Sequence, residues 1–289
     1  MARIPALLFF LIFIVGAETA TAKPVADGDA LFKAAEQGKL SVVVKYLENG
    51  GSVNVADKAS LSLLNWAAYG GSLALVKLLV DKKADVNVHG NKSGWTPLMN
   101  ASAMGFPLVA AYLLDRGAEL NRLNEEGYNA LAFAAAKQRV DVVHLLLERG
   151  ADGGTAFVSL VRKNDAAALR LLLESGVDVN ATPRVEEKWF VPGETGLYTA
   201  AETNNPELLS LLLEKGANAD IATPRGGNMS TPLMMAAYFC NAAMIDALVA
   251  HNVTRGATNT NGDTAAQLAE TGWTNDMKPC AADIVAKLR

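Results

Sequence analysis

The fold of this chain is decided by residues 94–121, which read GWTPLMNASAMGFPLVAAYLLDRGAELN. Thr96 is a good N-cap, because its hydroxyl can accept a hydrogen bond from a free backbone N–H of the first helical turn. Pro97 suits the first helical position, which needs no N–H donor. One helix is predicted to end near Gly105 and a second near Gly117, with an apolar face of Leu108, Val109, Leu113 and Leu114. Such a unit has apolar surface on two sides, so it needs neighbours of its own kind.

Copies of this unit recur along the chain. When each copy is aligned on the residue that follows its second helix, the spacings are 33, 34, 33, 26, 40 and 36 residues. Most of these spacings lie close to 33, which indicates a repeat protein rather than a set of globular domains. The aligned residues are Gly50, Lys83, Gly117, Gly150, Gly176, Gly216 and Asn252.

The repeats resemble the ankyrin family from Asp29 to Arg289. The resemblance is carried by Thr96-Pro97-Leu98-Met99, Thr231-Pro232-Leu233-Met234, Lys83-Ala84-Asp85-Val86-Asn87 and Gly176-Val177-Asp178-Val179-Asn180. It implies an all-α solenoid of about eight helix-turn-helix repeats with short hairpin fingers, capped at both ends. We expect a single array over residues 23–289. Its repeats are predicted at residues 28–56, 57–90, 91–123, 124–152, 153–180, 181–220, 221–258 and 259–289, the last being the C-terminal cap.

The first 22 residues are predicted to be a cleaved signal peptide. Arg3 precedes the apolar run 6–15, and Ala20-Thr21-Ala22 is a small-x-small cleavage site. About ten apolar residues are too few to cross a bilayer. We therefore expect an exported protein with no stable membrane insertion after cleavage, in a bacterial periplasm. Secretion is the alternative, because three triplets fit the glycosylation pattern: Asn91-Lys92-Ser93, Asn180-Ala181-Thr182 and Asn252-Val253-Thr254.

The charge balance argues against nucleic acid as a partner. The net charge is −4, and removal of residues 1–22 deletes one basic and one acidic residue. Nucleic-acid binding needs a basic surface that displaces counterions. We expect instead a partner protein from the same compartment, and a chain that is monomeric when free.

The chain has two cysteines, Cys240 and Cys280. Cys240 is in the turn between two helices, where other repeats have Gly71 or Gly105, and Cys280 occupies a similar place in the next repeat. Turns of adjacent repeats lie side by side, so a disulfide could staple the C-terminal cap. Two free thiols are the alternative, because a small misplacement would prevent the bond.

No catalytic, metal or cofactor site is predicted. The histidines His89, His144 and His251 lack a second metal ligand three or four residues away. Gly153-Gly154 and Gly226-Gly227 do not open a phosphate-binding loop. The protein is therefore not expected to be an enzyme and is expected to need no cofactor.

The resemblance to ankyrins implies a binding surface, here called the concave face, made of the finger tips and the exposed ends of the first helices. Aromatic residues and nearby charges have the composition of a protein interface. Some of these aromatics could merely cover the adjacent finger, and Trp66 and Phe133 are expected to be core. The candidate contact residues are Tyr69, Trp95, Met104, Glu125, Glu126, Tyr128, Lys137, Trp189, Phe190, Tyr238 and Phe239.

Two neighbouring repeats depart from the pattern. The fifth has only Gly153-Gly154 where others have most of a finger, and the sixth has an enlarged loop at residues 181–194. Long loops in compact folds are often functional. The enlarged loop could bind a partner, or it could fold back over helices that the fifth repeat leaves bare.

Three functions are compatible with the sequence. The leading one is a non-catalytic accessory or scaffold protein that binds its partner through the concave face. The second is an immunity-type inhibitor that neutralises a toxic enzyme. The third and most remote is a hydrolase with a site in the loop 181–194, where no base lies near a Ser or Cys.

Overall fold

The computed structural model describes residues 28–90, 93–184, 189–225, 228–271 and 279–289. The predicted signal peptide and its cleavage site lie outside these residues. Within them the chain forms eight consecutive helix pairs, and each predicted repeat range contains one pair. The pairs are α1 Gly28–Glu36 and α2 Leu40–Glu48, α3 Leu63–Tyr69 and α4 Leu73–Asp81, α5 Pro97–Met104 and α6 Pro107–Asp115, α7 Ala130–Ala136 and α8 Val140–Glu148, α9 Gly153–Arg162 and α10 Ala166–Glu174, α11 Gly196–Glu202 and α12 Pro206–Glu214, α13 Pro232–Tyr238 and α14 Ala242–Ala250, α15 Ala265–Thr271 and α16 Ala282–Leu288.

The first helices begin where the sequence predicts, because a short polar side chain caps them. The Thr96 hydroxyl accepts a hydrogen bond from the backbone N–H of Met99 at 3.2 Å, and Pro97 occupies the first turn. Thr231 and Pro232 repeat this arrangement at α13. Each such cap satisfies a backbone donor that the helix leaves free.

The second helices end at residues with left-handed backbone angles. All seven residues used above to align the repeats have positive φ: Gly50, Lys83, Gly117, Gly150, Gly176, Gly216 and Asn252. Glycine adopts this conformation without steric cost. The same register therefore holds from the first repeat to the seventh, although Lys83 and Asn252 are less suited to it.

The fingers are short, as expected. One forms a two-stranded antiparallel sheet, in which β1 Thr223–Arg225 pairs with β2 Asn228–Ser230. Three others are closed by single bridges, Ala56 to Ser62, Gly90 to Trp95 and Thr258 to Thr264. Helix α9 follows its N-cap Asp152 directly, so the fifth repeat has no finger of its own.

The core is a continuous layer of leucine and alanine between the two rows of helices. Each interior first helix packs between its counterparts in the adjacent repeats, as α5 does between α3 and α7. In α6, Val109 and Leu113 are buried as predicted, but Leu108 is 71% exposed. Leu108 lies about 100° around the helix from Val109, which places it outside the buried stripe. In the described part of the chain, no helix is long and apolar enough to cross a membrane.

The turns between paired helices contact the next repeat. A methyl group built at Gly71 would lie 2.5 Å from the Phe106 ring, and one at Gly105 would lie 2.7 Å from the Arg139 side chain. Cys240 occupies the same turn position with a φ of 50° and is joined by a disulfide to Cys280 of the following repeat. The disulfide therefore replaces a recurring packing contact with a covalent bond.

Candidate functional site

The concave face carries a row of aromatic rings across the second, third and fourth repeats. Trp66 and Tyr69 meet edge to face, with ring centroids 5.9 Å apart. In the next two repeats, Phe133 lies 4.1 Å from Trp95 and 5.6 Å from Tyr128, again between ring centroids. The separations of 5.9 and 5.6 Å are typical of favourable aromatic pairs, and Trp95 lies in still closer contact with Phe133, so the rings hold one another in place.

A pocket of about 460 Å³ opens where the first three repeats meet. Two hydrogen bonds fix its walls: the Trp66 indole N–H donates to Asp57 at 2.9 Å, and the Asn65 amide donates to the backbone carbonyl of Trp95 at 3.2 Å. Its shape is thus set by contacts within and between repeats. It is lined by Glu36, Leu61, Asn65, Trp66, Tyr69, Trp95 and Asn100.

Trp95 and Tyr128 differ in what they offer to a partner. Trp95 is half-buried and lines the pocket, whereas Tyr128 is only 8% exposed. The Lys163 ammonium lies 5.4 Å above the Tyr128 ring. Burial raises the pKa of the Tyr128 phenol, and hydrogen bonding to Lys163 offsets only part of this effect. The same hydrogen bond raises the pKa of Lys163. The burial of Tyr128 fits the alternative that this ring covers the array.

The charged candidates remain accessible. Glu125, Glu126 and Lys137 are exposed, and Met104 is half-buried. Glu126 approaches Lys163 at 3.7 Å in an exposed ion pair, which contributes little to stability. Glu126 and Lys137 are therefore accessible to a partner.

The enlarged loop folds back onto the array. Phe190 is 7% exposed, and the Arg162 guanidinium lies 5.0 Å from its ring. Arg162 also donates to the Glu194 carboxylate at 2.6 and 2.8 Å, and the Glu194 side chain is completely buried. Thr199 donates to the same carboxylate at 2.9 Å. This buried pair fixes the C-terminal half of the loop.

Both ends of the loop cover the place where the fifth repeat lacks a finger. A methyl group at Gly127, in the finger of the fourth repeat, would lie 3.1 Å from the Trp189 ring. At the other end, the backbone N–H of Arg184 donates to Asp152 at 2.8 Å. Residues 185–188 lie outside the described part of the chain. The contacts favour packing over partner binding for Phe190, and they leave Trp189 half-buried at the surface.

Tyr238 and Phe239 form a separate aromatic pair in the seventh repeat. Their rings meet edge to face at 5.0 Å between centroids, and both side chains are half-buried. They lie at the same turn positions as Tyr69 and Gly70, so they belong to the concave face but not to the pocket.

Comparison with known families agrees with this geometry. The family model for ankyrin repeats (three copies) matches residues 31–124, 91–156, 116–183, 158–259 and 197–276. The chain belongs to the ankyrin-repeat family. The similarity covers most of the described residues and accounts for the helix pairs and fingers.

The curated relatives of this ankyrin-repeat chain are larger proteins. Palmitoyltransferase AKR1 of Lachancea kluyveri is 27% identical over 209 residues, which are 68% of this chain and 27% of that protein. The nuclear factor NF-kappa-B p105 subunit of Gallus gallus is 34% identical over 179 residues, or 56% of this chain and 17% of that protein. The chain thus spans well under two thirds of these relatives' length.

A solved structure shares the fold. The human ASB11 ankyrin repeat domain aligns with a TM-score of 0.50 and 23% identity, over 79% of this chain and 96% of that one. At this identity the likeness concerns the architecture alone. It agrees with an all-α ankyrin solenoid.

Sequence reasoning missed Glu36, Asn65 and Asn100 and placed Trp66 in the core, whereas Trp66 is half-buried and lines the pocket with them. Glu36 occupies in the first repeat the position that Tyr69 occupies in the second, two residues before the turn glycine. Extending the predicted row by one repeat would have found it. The sequence pattern also gives no sign that Arg162 pairs with Glu194, as it does in the structure. Among the described residues, no group of three His, Cys, Asp or Glu is placed to hold a metal ion.

Proposed function

We propose that this ankyrin-repeat chain is a non-catalytic accessory or scaffold protein that binds a partner protein of an exported compartment through its concave face. The ankyrin repeat is a protein–protein interaction module. The observation that carries the proposal is the pocket beside Tyr69, which is the aromatic side chain most open to solvent on this face. Exposed aromatics on a rigid surface supply much of the binding energy of protein interfaces.

The exported location is supported by two features of the chain. Arg3, the apolar run 6–15 and Ala20-Thr21-Ala22 have the pattern of a signal peptide. A disulfide between Cys240 and Cys280 suits an oxidising compartment. A bacterial periplasm is our first choice and secretion the second.

A pull-down from the exported fraction with residues 23–289 tests the proposal. Tyr69→Ala combined with Lys137→Ala removes two exposed side chains of the concave face. Loss of an aromatic anchor typically costs about 2 kcal/mol of binding free energy, so we expect capture to fall roughly thirtyfold. The matched control is Leu108→Ala, which removes a highly exposed apolar side chain from the second-helix side.

The variants should keep the far-ultraviolet circular dichroism spectrum and the melting temperature of the unmodified chain, so that a loss of capture is not a loss of folding. If the Tyr69/Lys137 variant captures its partner as well as the unmodified chain does, the concave face is not the binding surface. The activity of a captured enzyme then separates the two kinds of binder. An accessory protein leaves that activity intact or raises it, whereas an immunity-type inhibitor abolishes it.

A further inference from the structure

The pocket of the first three repeats has a definite chemical preference. Its side-chain N–H groups each make one hydrogen bond within the protein: Trp66 donates to Asp57 at 2.9 Å, Asn65 to the Trp95 carbonyl at 3.2 Å and Asn100 to the Thr96 carbonyl at 3.2 Å. The indole has no further donor and each amide keeps one N–H, so none of these groups offers a positive charge to a bound anion.

One charged acceptor of the pocket remains open. The Glu36 carboxylate lines the pocket and has no hydrogen-bond or ion-pair partner among the residues that the structure describes. Its backbone is held in place, because the carbonyl of Glu36 packs against Gly70 so closely that a methyl group there would overlap it. The carboxylate therefore extends from a fixed backbone position at the pocket wall, and no described residue supplies a counter-charge to it.

Aromatic rings complete the pocket. Trp66, Tyr69 and Trp95 all line it together with Glu36. Ring faces carry negative electrostatic potential and attract cations, most strongly where the cation is partly removed from water. A carboxylate and ring faces that border one space attract a cation together.

We propose that this pocket receives a cationic side chain, the ammonium of a lysine or the guanidinium of an arginine, presented by the partner protein. The inference rests on the proposed function, because it names the chemistry that the concave face would recognise. Glu36 supplies the charge, and the rings of Trp66, Tyr69 and Trp95 enclose the aliphatic stem and the charged head.

The test is a titration of the full chain with capped seven-residue peptides, Gly-Ser-Gly-X-Gly-Ser-Gly, followed by tryptophan fluorescence and calorimetry. X is arginine, lysine, citrulline or glutamate. Citrulline matches the shape of arginine without its charge. We expect the arginine and lysine peptides to bind saturably and at least about tenfold more tightly than the citrulline peptide, with affinity falling as salt is added.

Glu36→Gln keeps the size of the side chain and removes its charge. We expect it to lower the affinity for the cationic peptides about tenfold. Glu48→Gln, at an exposed position of α2, should leave that affinity unchanged. Equal binding of citrulline and arginine, a preference for glutamate, or unchanged binding by Glu36→Gln would each overturn the assignment. The pull-down separates failure of the cation assignment from failure of the proposed function. If the Tyr69/Lys137 variant loses the partner and the Glu36→Gln variant keeps it, the concave face binds the partner without a cation in this pocket.

Discussion

Arg162 connects parts of the molecule that are distant in sequence. Its guanidinium lies against the Phe190 ring, donates to the Trp189 carbonyl and pairs with the Glu194 carboxylate. The Arg162 side chain is 28% exposed, whereas that of Glu194 is fully buried. Removing one member of such a pair leaves an uncompensated charge in a place that water cannot reach.

Arg162→Ala should therefore destabilise the fold strongly. We expect the free energy of unfolding to fall by about 3 kcal/mol, because Glu194 loses its cation while remaining buried. Urea denaturation followed by circular dichroism measures this change. Replacing Arg162 by Met together with Glu194 by Gln should recover part of the loss, since no buried charge remains.

Arg149 provides the matched control for this prediction. It also pairs with a carboxylate of a neighbouring repeat, Asp115 at 2.9 Å, but both side chains are well exposed. Arg149→Ala should cost less than about 1 kcal/mol. Equal effects of the two arginine substitutions would contradict the argument from burial.

At the level of single residues, the repeat makes some side chains predictable and leaves others open. Thr96 and Gly117 could be predicted because every repeat needs a cap and a left-handed turn at the same positions. The burial of Tyr128 could not, because it depends on Phe133 of α7 and on Lys163, which follows α9 in the next repeat. Contacts between repeats leave no periodic signal in the sequence.

At the level of elements, the missing finger and the enlarged loop form one structural unit. Gly154 lies under the chain at Thr182, and a methyl group there would fall 2.1 Å from the Thr182 carbonyl oxygen. In the sequence, the short and long spacings together equal two normal periods. That sum does not tell whether the loop binds a partner or packs on the fifth repeat. The contacts of Asp152, Arg162 and Glu194 favour packing, which spacing alone cannot reveal.

Gly154→Ala should disrupt this unit. The added methyl group forces the backbone at Thr182 and Pro183 to move, so we expect a loss of about 2 kcal/mol in the free energy of unfolding. Chemical denaturation checks the value. Hydrogen exchange should become faster at residues 181–184 and 189–194, where the loop contacts the fifth repeat.

The adjacent glycine gives the control. A methyl group at Gly153 would meet only the Val177 side chain, at 3.1 Å, and alanine is the better helix former. Gly153→Ala should therefore change stability by less than about 1 kcal/mol. If Gly154→Ala were as mild as Gly153→Ala, the loop would not be seated on α9 as described.

At the level of the whole molecule, the array is a linear stack in which each repeat is stabilised by its neighbours. The eighth repeat packs on the seventh, with α15 against α13. There α16 packs on α14 and α15, and the disulfide from Cys240 to Cys280 ties it to the seventh repeat. The disulfide therefore adds a covalent link to the packing between the seventh and eighth repeats.

Reduction of the disulfide should loosen the C-terminal end and leave the remainder of the array intact. Closing a loop of 40 residues is worth roughly 4 kcal/mol through the entropy of the unfolded chain. With dithiothreitol, amide hydrogen exchange should accelerate in α15 and α16 but not in α3 to α6. The variant Cys240→Gly with Cys280→Ala keeps a residue suited to positive φ at the turn. Its amide hydrogens should therefore exchange as fast as those of the reduced protein, with or without dithiothreitol. A thiol assay on the unreduced, denatured chain tests whether Cys240 and Cys280 are joined. Two free thiols would contradict the disulfide, and packing alone would then have to protect the amides of α15 and α16.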